Sequence, residues 1–204
     1  MNKDIPVIAL QRLPVYLNYL KSMPADRMYV SSGLIAEALE MGEVLVRKDL
    51  AYTSATGKPR VGYIKSELIA ALEDFLCCNG SRNAVLAGAG GLGLLIQTGC
   101  STYNNYGINV VAAFDNNPEK IGGSVVGKPV YDIEDAQEKI ANLNAELAVI
   151  CVPAQFAQSV ADKLVASGIK AILNFAPVMI KAPQNVVVRH IDVAANLAVL
   201  SSMI

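Results

Sequence analysis

The 204-residue sequence predicts an α/β protein in two parts. An N-terminal winged-helix (helix-turn-helix) domain is expected over residues 1–80, and a C-terminal Rossmann-like domain with a doubly wound parallel sheet over residues 81–191. Residues 192–204 are expected to form a C-terminal helix. Three observations predict this layout. The short apolar run Val85-Leu86-Ala87 ends in Gly88-x-Gly90-x-x-Gly93 and leads into a segment able to open as a helix. A second apolar run, Ile108 to Phe114, ends in Asp115, about twenty residues beyond the last glycine. Ahead of both, two helix-forming stretches meet at Gly42, and the second carries Arg47 and Lys48.

Taken in order, Gln11 to Lys21 places Leu13, Leu17 and Leu20 at helical spacing with Tyr16 alongside, and Pro14 suits the first turn of that helix. Pro24 breaks the chain. Either Ser31 or Ser32 can cap the next helix, which holds Leu34, Ile35, Ala38 and Leu39. Gly42 suits a tight turn into Glu43–Tyr52, where Val44, Leu45 and Leu50 are expected to face inward and Arg47, Lys48 and Tyr52 outward. The turn-rich stretch Ser54 to Tyr63 carries Lys58 and Arg60 near its tip. It reads as a β-hairpin wing able to set both cations against phosphate or into a minor groove, or as a solvated surface hairpin. A connecting helix over Ser66–Leu76 and a boundary at Asn79-Gly80-Ser81 complete this part.

In the second part each glycine has a separate task. Gly88 makes the tight turn, Gly90 lets backbone approach a pyrophosphate, and Gly93 allows a helix to pack closely on a strand. The N–H groups of Ala89, Gly91 and Leu92 belong to the same phosphate-binding loop, at a helix start that favours negative charge. Asp115 stands where a carboxylate accepts hydrogen bonds from a ribose, which favours NAD(H) over NADP(H) because it would repel a 2′-phosphate. Beyond it, Asn116-Asn117-Pro118 turns the chain and Gly127-Lys128-Pro129-Val130 introduces a short strand. Residues 133–142 are expected as a helix, Leu147–Val152 as a buried strand, and Ala154–Ser167 as a helix stopped by Gly168. Strands follow at Ala171–Leu173 and Val186–Ile191, and Asp192 can cap a last helix through Leu200.

The totals narrow the classes. Apolar residues make up 53% and charged residues 17%, enough for a sizeable core and too little charge for wholesale disorder. No apolar run approaches a membrane span, and the N-terminus has no secretory pattern. Cys77, Cys78, Cys100 and Cys151 lack C-x-x-C spacing, so reduced thiols in a cytoplasmic protein are expected. The net charge of −1 hides a local excess: residues 43–65 hold five basic side chains against two acidic ones. Phosphate affinity needs local charge, so the balance permits DNA binding without arguing for it.

Several blocks occur together in one order: Arg12-Leu13-Pro14, Val30-Ser31-Ser32, Val46-Arg47-Lys48-Asp49-Leu50, Gly62-Tyr63, Gly88 to Gly93, Phe114-Asp115, Val152-Pro153-Ala154 with Gln158, Gly168-Ile169-Lys170 and Asn174 to Val178. In this combination the chain resembles the Rex family of redox-sensing transcriptional repressors along nearly its whole length. The resemblance implies a homodimer with a winged helix and a Rossmann domain, binding operator double-stranded DNA and releasing it as NADH rises. It implies Arg47 and Lys48 on the recognition helix, with Arg47 able to read guanine through two hydrogen bonds, and Lys58 and Arg60 on the wing. Ser31, Ser32 and Tyr52 join the expected DNA-binding set. Gly88 to Gly93 would hold the pyrophosphate, Asp115 the adenosine ribose, and Val152, Pro153, Asn174 and Phe175 the nicotinamide end.

Departures from the family pattern are visible too. Asn18 stands where the family has an arginine, Thr98-Gly99 falls where it has a tyrosine, and Asp192, the aspartate linked with both, is kept. Asp49-Leu50 is followed by Ala51-Tyr52-Thr53-Ser54 rather than serine, tyrosine, phenylalanine and glycine, and the terminal helix ending at Ile204 is expected to be short. Two other readings therefore stay open: a DNA binder whose Rossmann domain holds nucleotide without redox switching, and a CoA- or nucleotide-binding Rossmann protein. Enzyme activity is not expected. A dehydrogenase needs a proton donor beside the nicotinamide, and the only histidine is His190, at the end of an expected strand.

Overall fold

The computed structural model describes residues 5–76, 78, 80–91, 93 and 105–204. The chain divides into two compact units, Met1–Gly80 and Ser81–Ile204.

In the first unit, helix α1 (Val7–Ser22) buries Leu13, Tyr16, Leu17 and Leu20 completely. Each such leucine withdraws an apolar side chain from water, worth about 1.5–3 kcal/mol. The helix starts at Val7 rather than Gln11, because Pro6 supplies the turn into it and Ala9 adds a buried position. Pro14 accordingly lies inside the helix and not in its first turn. Strand β1 (Tyr29–Val30) follows, then α2 (Ser32–Ala38), α3 (Glu43–Leu50), β2 (Tyr63–Ile64) and α4 (Lys65–Phe75).

Three sequence expectations change here. The left-handed residue between α2 and α3 is Glu40, with φ 52°, and Gly42 has ordinary extended backbone at the start of α3. The inward face of α3 is Val46, Asp49 and Leu50, so Val44 and Leu45 point to solvent. Asp49 sets that phase. Its buried carboxylate accepts from Arg12 Nε at 2.6 Å, Arg12 Nη2 at 2.8 Å and the Tyr16 hydroxyl at 2.7 Å. The wing also pairs differently: β2 runs antiparallel to β1, which precedes α2, and only a Lys58–Gly62 bridge closes the tip. Gly62, at φ +89°, is required there, since a Cβ would sit 2.5 Å from the Val30 carbonyl oxygen.

Among the described residues, the second unit holds a seven-stranded sheet. Its strands are β3 (Arg82–Ala87), β4 (Ile108–Asp115), β5 (Ser124–Val125), β6 (Lys128–Asp132), β7 (Ala145–Ile150), β8 (Ala171–Asn174) and β9 (Val187–His190), in the order β5-β6-β4-β3-β7-β8-β9. All neighbours are parallel except β5 and β6. Ile133–Asp135 forms a 3-10 turn, followed by α5 (Ala136–Leu143), α6 (Ala154–Ala166) and α7 (Val193–Ser201). Val85, Ala87 and Phe114 bury one sheet face among Ile140, Val160 and Leu164, while Leu86, Ala113 and Val130 bury the other. Both faces of β3 are therefore apolar, as a doubly wound sheet requires. Gly168, at φ +99°, ends the α6 region, where the Ile169 N–H reaches back to the Leu164 carbonyl. Asp192 caps α7 by accepting from the Ala195 N–H at 2.8 Å.

Candidate functional site

Register brings the site together. Ala87 of β3 pairs with Phe114 of β4 on one side and Ile150 of β7 on the other, so Gly88, Asp115 and Cys151 leave the sheet side by side. This is the point where strand order reverses, and ligands of open α/β sheets bind outside the carboxyl ends of such strands. A cavity of about 650 Å³ opens there, lined by Gly88, Gly90, Asp115, Val152 and Pro153 among others.

The glycines divide by physical cause. A Cβ on Gly88, at φ +102°, would lie 2.8 Å from the Cys151 carbonyl oxygen, and one on Gly93 would lie 2.1 Å from the Gly88 carbonyl oxygen. The fold itself demands those two. Among the described residues, nothing lies within 4 Å of a Cβ placed on Gly90 or Gly91, so their packing does not explain these two glycines. Open space over bare backbone is what a pyrophosphate needs, and the residues present fit a dinucleotide. Leu92 lies outside the described residues, as does the segment holding Thr98-Gly99.

Among the described residues lining the cavity, Asp115 carries the most side-chain hydrogen bonds. Its Oδ2 accepts from the Ala89 N–H and the Lys120 ammonium, both at 2.9 Å, and its Oδ1 accepts from the N–H groups of Asn116 and Asn117, again at 2.9 Å. Burial alone would raise its pKa. Lys120 and the N–H groups of Asn117 and Ala89 outweigh burial and hold the carboxyl below its ordinary value. These four donors fill the roughly four acceptor sites of a carboxylate, and Lys120 is the one side-chain donor among them. Lys120 also tempers the expected repulsion of a 2′-phosphate, which Asp115 alone would impose.

Other cavity residues had no signal in the motif. The α6 residues Phe156, Ser159, Val160 and Lys163 line it at helical spacing, and Lys163 pairs with Glu134 across the opening. The Cys151 thiol, also in the wall, is pushed up to about 12 by burial and stays neutral. Asn174 and Phe175 do not line this cavity. The buried Asn174 amide is consumed locally: Nδ2 donates to the carbonyls of Ala176 at 3.1 Å and Val178 at 2.8 Å, and Oδ1 accepts from the Ala176 N–H at 3.0 Å. His190 Nδ1 stands 3.1 Å from the same amide nitrogen, away from the cavity lining.

On the first unit, Arg47, Lys48, Lys58 and Arg60 are exposed, and among the described residues none of the four forms an ion pair with a carboxylate. Tyr52 is exposed as well. Ser31 is the exposed cap of α2, its Oγ accepting from the Leu34 N–H at 3.1 Å. Ser32 departs from the expected DNA-binding set: it is buried, and its hydroxyl donates to Glu43 at 3.1 Å, tying the starts of α2 and α3 together. Asp49, unmarked by charge or spacing as more than a surface acid, is what fixes α3 to α1. Its contact raises the Arg12 pKa, and burial followed by the Asp49 bond lifts Tyr16 from 10 to about 12.

A helix-turn-helix unit with a wing, joined to an α/β unit with a nucleotide-type cavity, defines a class of two-domain regulator. A family model described as a putative DNA-binding protein N-terminus matches residues 4–51, and one described as a CoA binding domain matches 79–178. The redox-sensing transcriptional repressor Rex of Treponema denticola is 38% identical over 96% of this chain and 93% of its own. That of Bacteroides fragilis is 39% identical over 96% of this chain and 89% of its own. The crystal structure of RSP in complex with β-NAD+ and operator DNA superposes with a TM-score of 0.92 at 30% identity, covering 99% of this chain and 93% of that one. The structure of RSP with β-NADH gives 0.87 at 29% identity, covering 99% and 95%. The chain belongs to the Rex family of redox-sensing transcriptional repressors.

Two measurements follow from these side chains. Below pH 10 the Tyr16 hydroxyl keeps its proton in folded and unfolded chains alike; between 10 and about 12 only the unfolded chain releases it. Stability of the first unit therefore falls as pH rises through that window. Urea melts of Tyr16→Phe should show a loss of about 1 kcal/mol at pH 8 and a flatter alkaline slope. For the cavity, Lys120→Met leaves Asp115 without its cation, and calorimetric titration should find a wider preference for NADH over NADPH than in the wild type.

Proposed function

We propose that this chain is a redox-sensing transcriptional repressor that binds operator DNA as a homodimer and responds to the NADH/NAD+ ratio. The observation that carries the reading is whole-length kinship with repressors of that name, in a chain whose first unit bears an unpaired basic face and whose second bears the Gly88-to-Asp115 cavity. Arg47 and Lys48 enter the major groove, Lys58 and Arg60 lie along phosphate or minor groove, and Ser31 and Tyr52 contact the backbone. The Gly88–Gly93 loop holds the pyrophosphate, Asp115 the adenosine ribose, and Val152-Pro153 the nicotinamide end. NADH and NAD+ differ by one hydride and one ring charge, and that difference is the signal the bound coenzyme supplies.

The protein is a regulator and not a dehydrogenase, working in the cytoplasm where DNA and the coenzyme pool meet. Helix α7 supports the dimer: it has no buried residue, and Val193, Leu197, Val199 and Leu200 are apolar side chains 57–60% exposed. A second copy covers that stripe. Asp192 caps this helix by accepting from the Ala195 N–H.

A second reading is favoured by one observation, the match of residues 79–178 to a CoA binding domain. It keeps the cavity and changes its ligand.

The experiment is an operator titration. A duplex selected by the protein from a random pool is titrated at fixed salt with NADH, NAD+ or CoA present, since salt alone shifts DNA affinity steeply. The expected result is release by NADH and not by NAD+, with affinity about a hundredfold lower, or ~2.8 kcal/mol of coupling. Equal affinity in NADH and NAD+ would leave a DNA binder without the redox switch, and release by CoA alone would establish the second reading.

A further inference from the structure

The recognition helix carries two side chains that neither the core nor phosphate chemistry explains. Val44 and Leu45 of α3 are 55% and 40% exposed, while Val46 and Leu50 of the same helix are completely buried. The Arg12–Asp49–Tyr16 network and the Ser32–Glu43 bond fix the rotation of α3, so this exposure is a built orientation. Val44 precedes Arg47 and Lys48 by three and four residues, and Leu45 precedes Lys48 by three. Such spacings share one helix face. That face is apolar at its N-terminal end and cationic in its last turn, and among the described residues no carboxylate pairs either cation.

From this arrangement we infer that Val44 and Leu45 read the 5-methyl group of a thymine in the operator, next to the guanine that Arg47 contacts. The inference rests on the operator-binding reading above. Helix-turn-helix recognition helices bring their N-terminal residues to base edges. An aliphatic side chain has no donor or acceptor to offer there. The thymine methyl is the apolar group that the four base pairs present in the major groove, and aliphatic contact with it is an established mode of readout. A second copy of the chain is a poorer occupant for this face. A twofold contact would bring Arg47 and Lys48 of both copies together, and like charges so placed oppose association.

Spacing sharpens the expectation. Val44 and Arg47 are separated by about 4.5 Å along a helix axis, against 3.4 Å per base pair of DNA. The thymine accordingly lies one or two base pairs from the guanine that Arg47 requires.

The test uses the full-length protein and a duplex it selects from a random pool. Each thymine is replaced singly by deoxyuracil, which removes the methyl and nothing else, and affinities are measured at fixed salt for the wild type, Val44→Ala and Leu45→Ala. At one thymine beside the Arg47-dependent guanine, the replacement should weaken wild-type binding about fourfold (~0.8 kcal/mol for one buried methyl). The same replacement should be silent in Val44→Ala or Leu45→Ala. Sedimentation of the variants should match that of the wild type. Silent uracils at every position, or an equal cost in wild type and both variants, would overturn the inference while leaving DNA binding intact. A changed oligomeric state in the variants would overturn it in favour of a protein contact. Failure of the wild type to select any duplex would instead overturn the operator-binding reading, and this inference with it.

Discussion

The carboxylate of Asp115 holds the second unit's cavity in shape. It sits at the end of β4 and accepts from four donors in two loops. The bond from the Ala89 N–H pins the glycine loop to the neighbouring strand end, and those from Asn116 and Asn117 fold the chain over the strand's tip. Without an acceptor there, the N–H of Ala89 would be left without this partner beside Gly88, whose conformation the fold already constrains. The carboxylate that shapes the loop is also the group proposed to meet the ribose, which would link ligand entry to loop geometry.

Asp49 has the corresponding place in the first unit. A carboxylate buried among apolar neighbours is costly unless its acceptors are filled, and Arg12 and Tyr16 fill them. The result is a fixed rotation of α3 about its axis. That rotation decides which side chains face outward: Arg47, Lys48, Val44 and Leu45 do, and Val46 and Leu50 do not. Charge available for phosphate is thereby separated from charge spent inside the fold, since Arg12 and Lys65 are engaged within the unit. Net charge near zero and a usable basic face are compatible for this reason.

What the sequence made legible is what local backbone chemistry dictates. Gly88 and Gly93 stand out because only glycine fits a positive φ or a 2.1 Å approach to a carbonyl, and such needs leave the same pattern wherever they arise. The alternation of apolar runs and helices, with Gly168 as a stop, follows from equally local rules. The face of α3 was not legible. Hydrophobic periodicity counts an aspartate as outward, and the buried phase Val46-Asp49-Leu50 becomes visible only once Arg12, 37 residues away in sequence, is seen to satisfy it. Ser32 and Asn174 show a related limit: each carries polar atoms suited to a ligand, and each spends them inside the fold. The α6 wall of the cavity shows the same limit, because Phe156, Ser159, Val160 and Lys163 come together with Asp115 through sheet register and not through any motif.

The central claim is thermodynamic: one ligand's free energy must depend on the other's presence. Coupling between two binding sites is reciprocal, so a coenzyme that weakens operator binding must itself be bound more weakly when operator is present. The most direct measurement is the NADH dissociation constant of the free protein and of the operator-saturated protein at one salt concentration. The account predicts that operator weakens NADH binding by the same factor by which NADH weakens operator binding, with NAD+ showing a smaller or opposite change. An NADH affinity indifferent to operator DNA would contradict it.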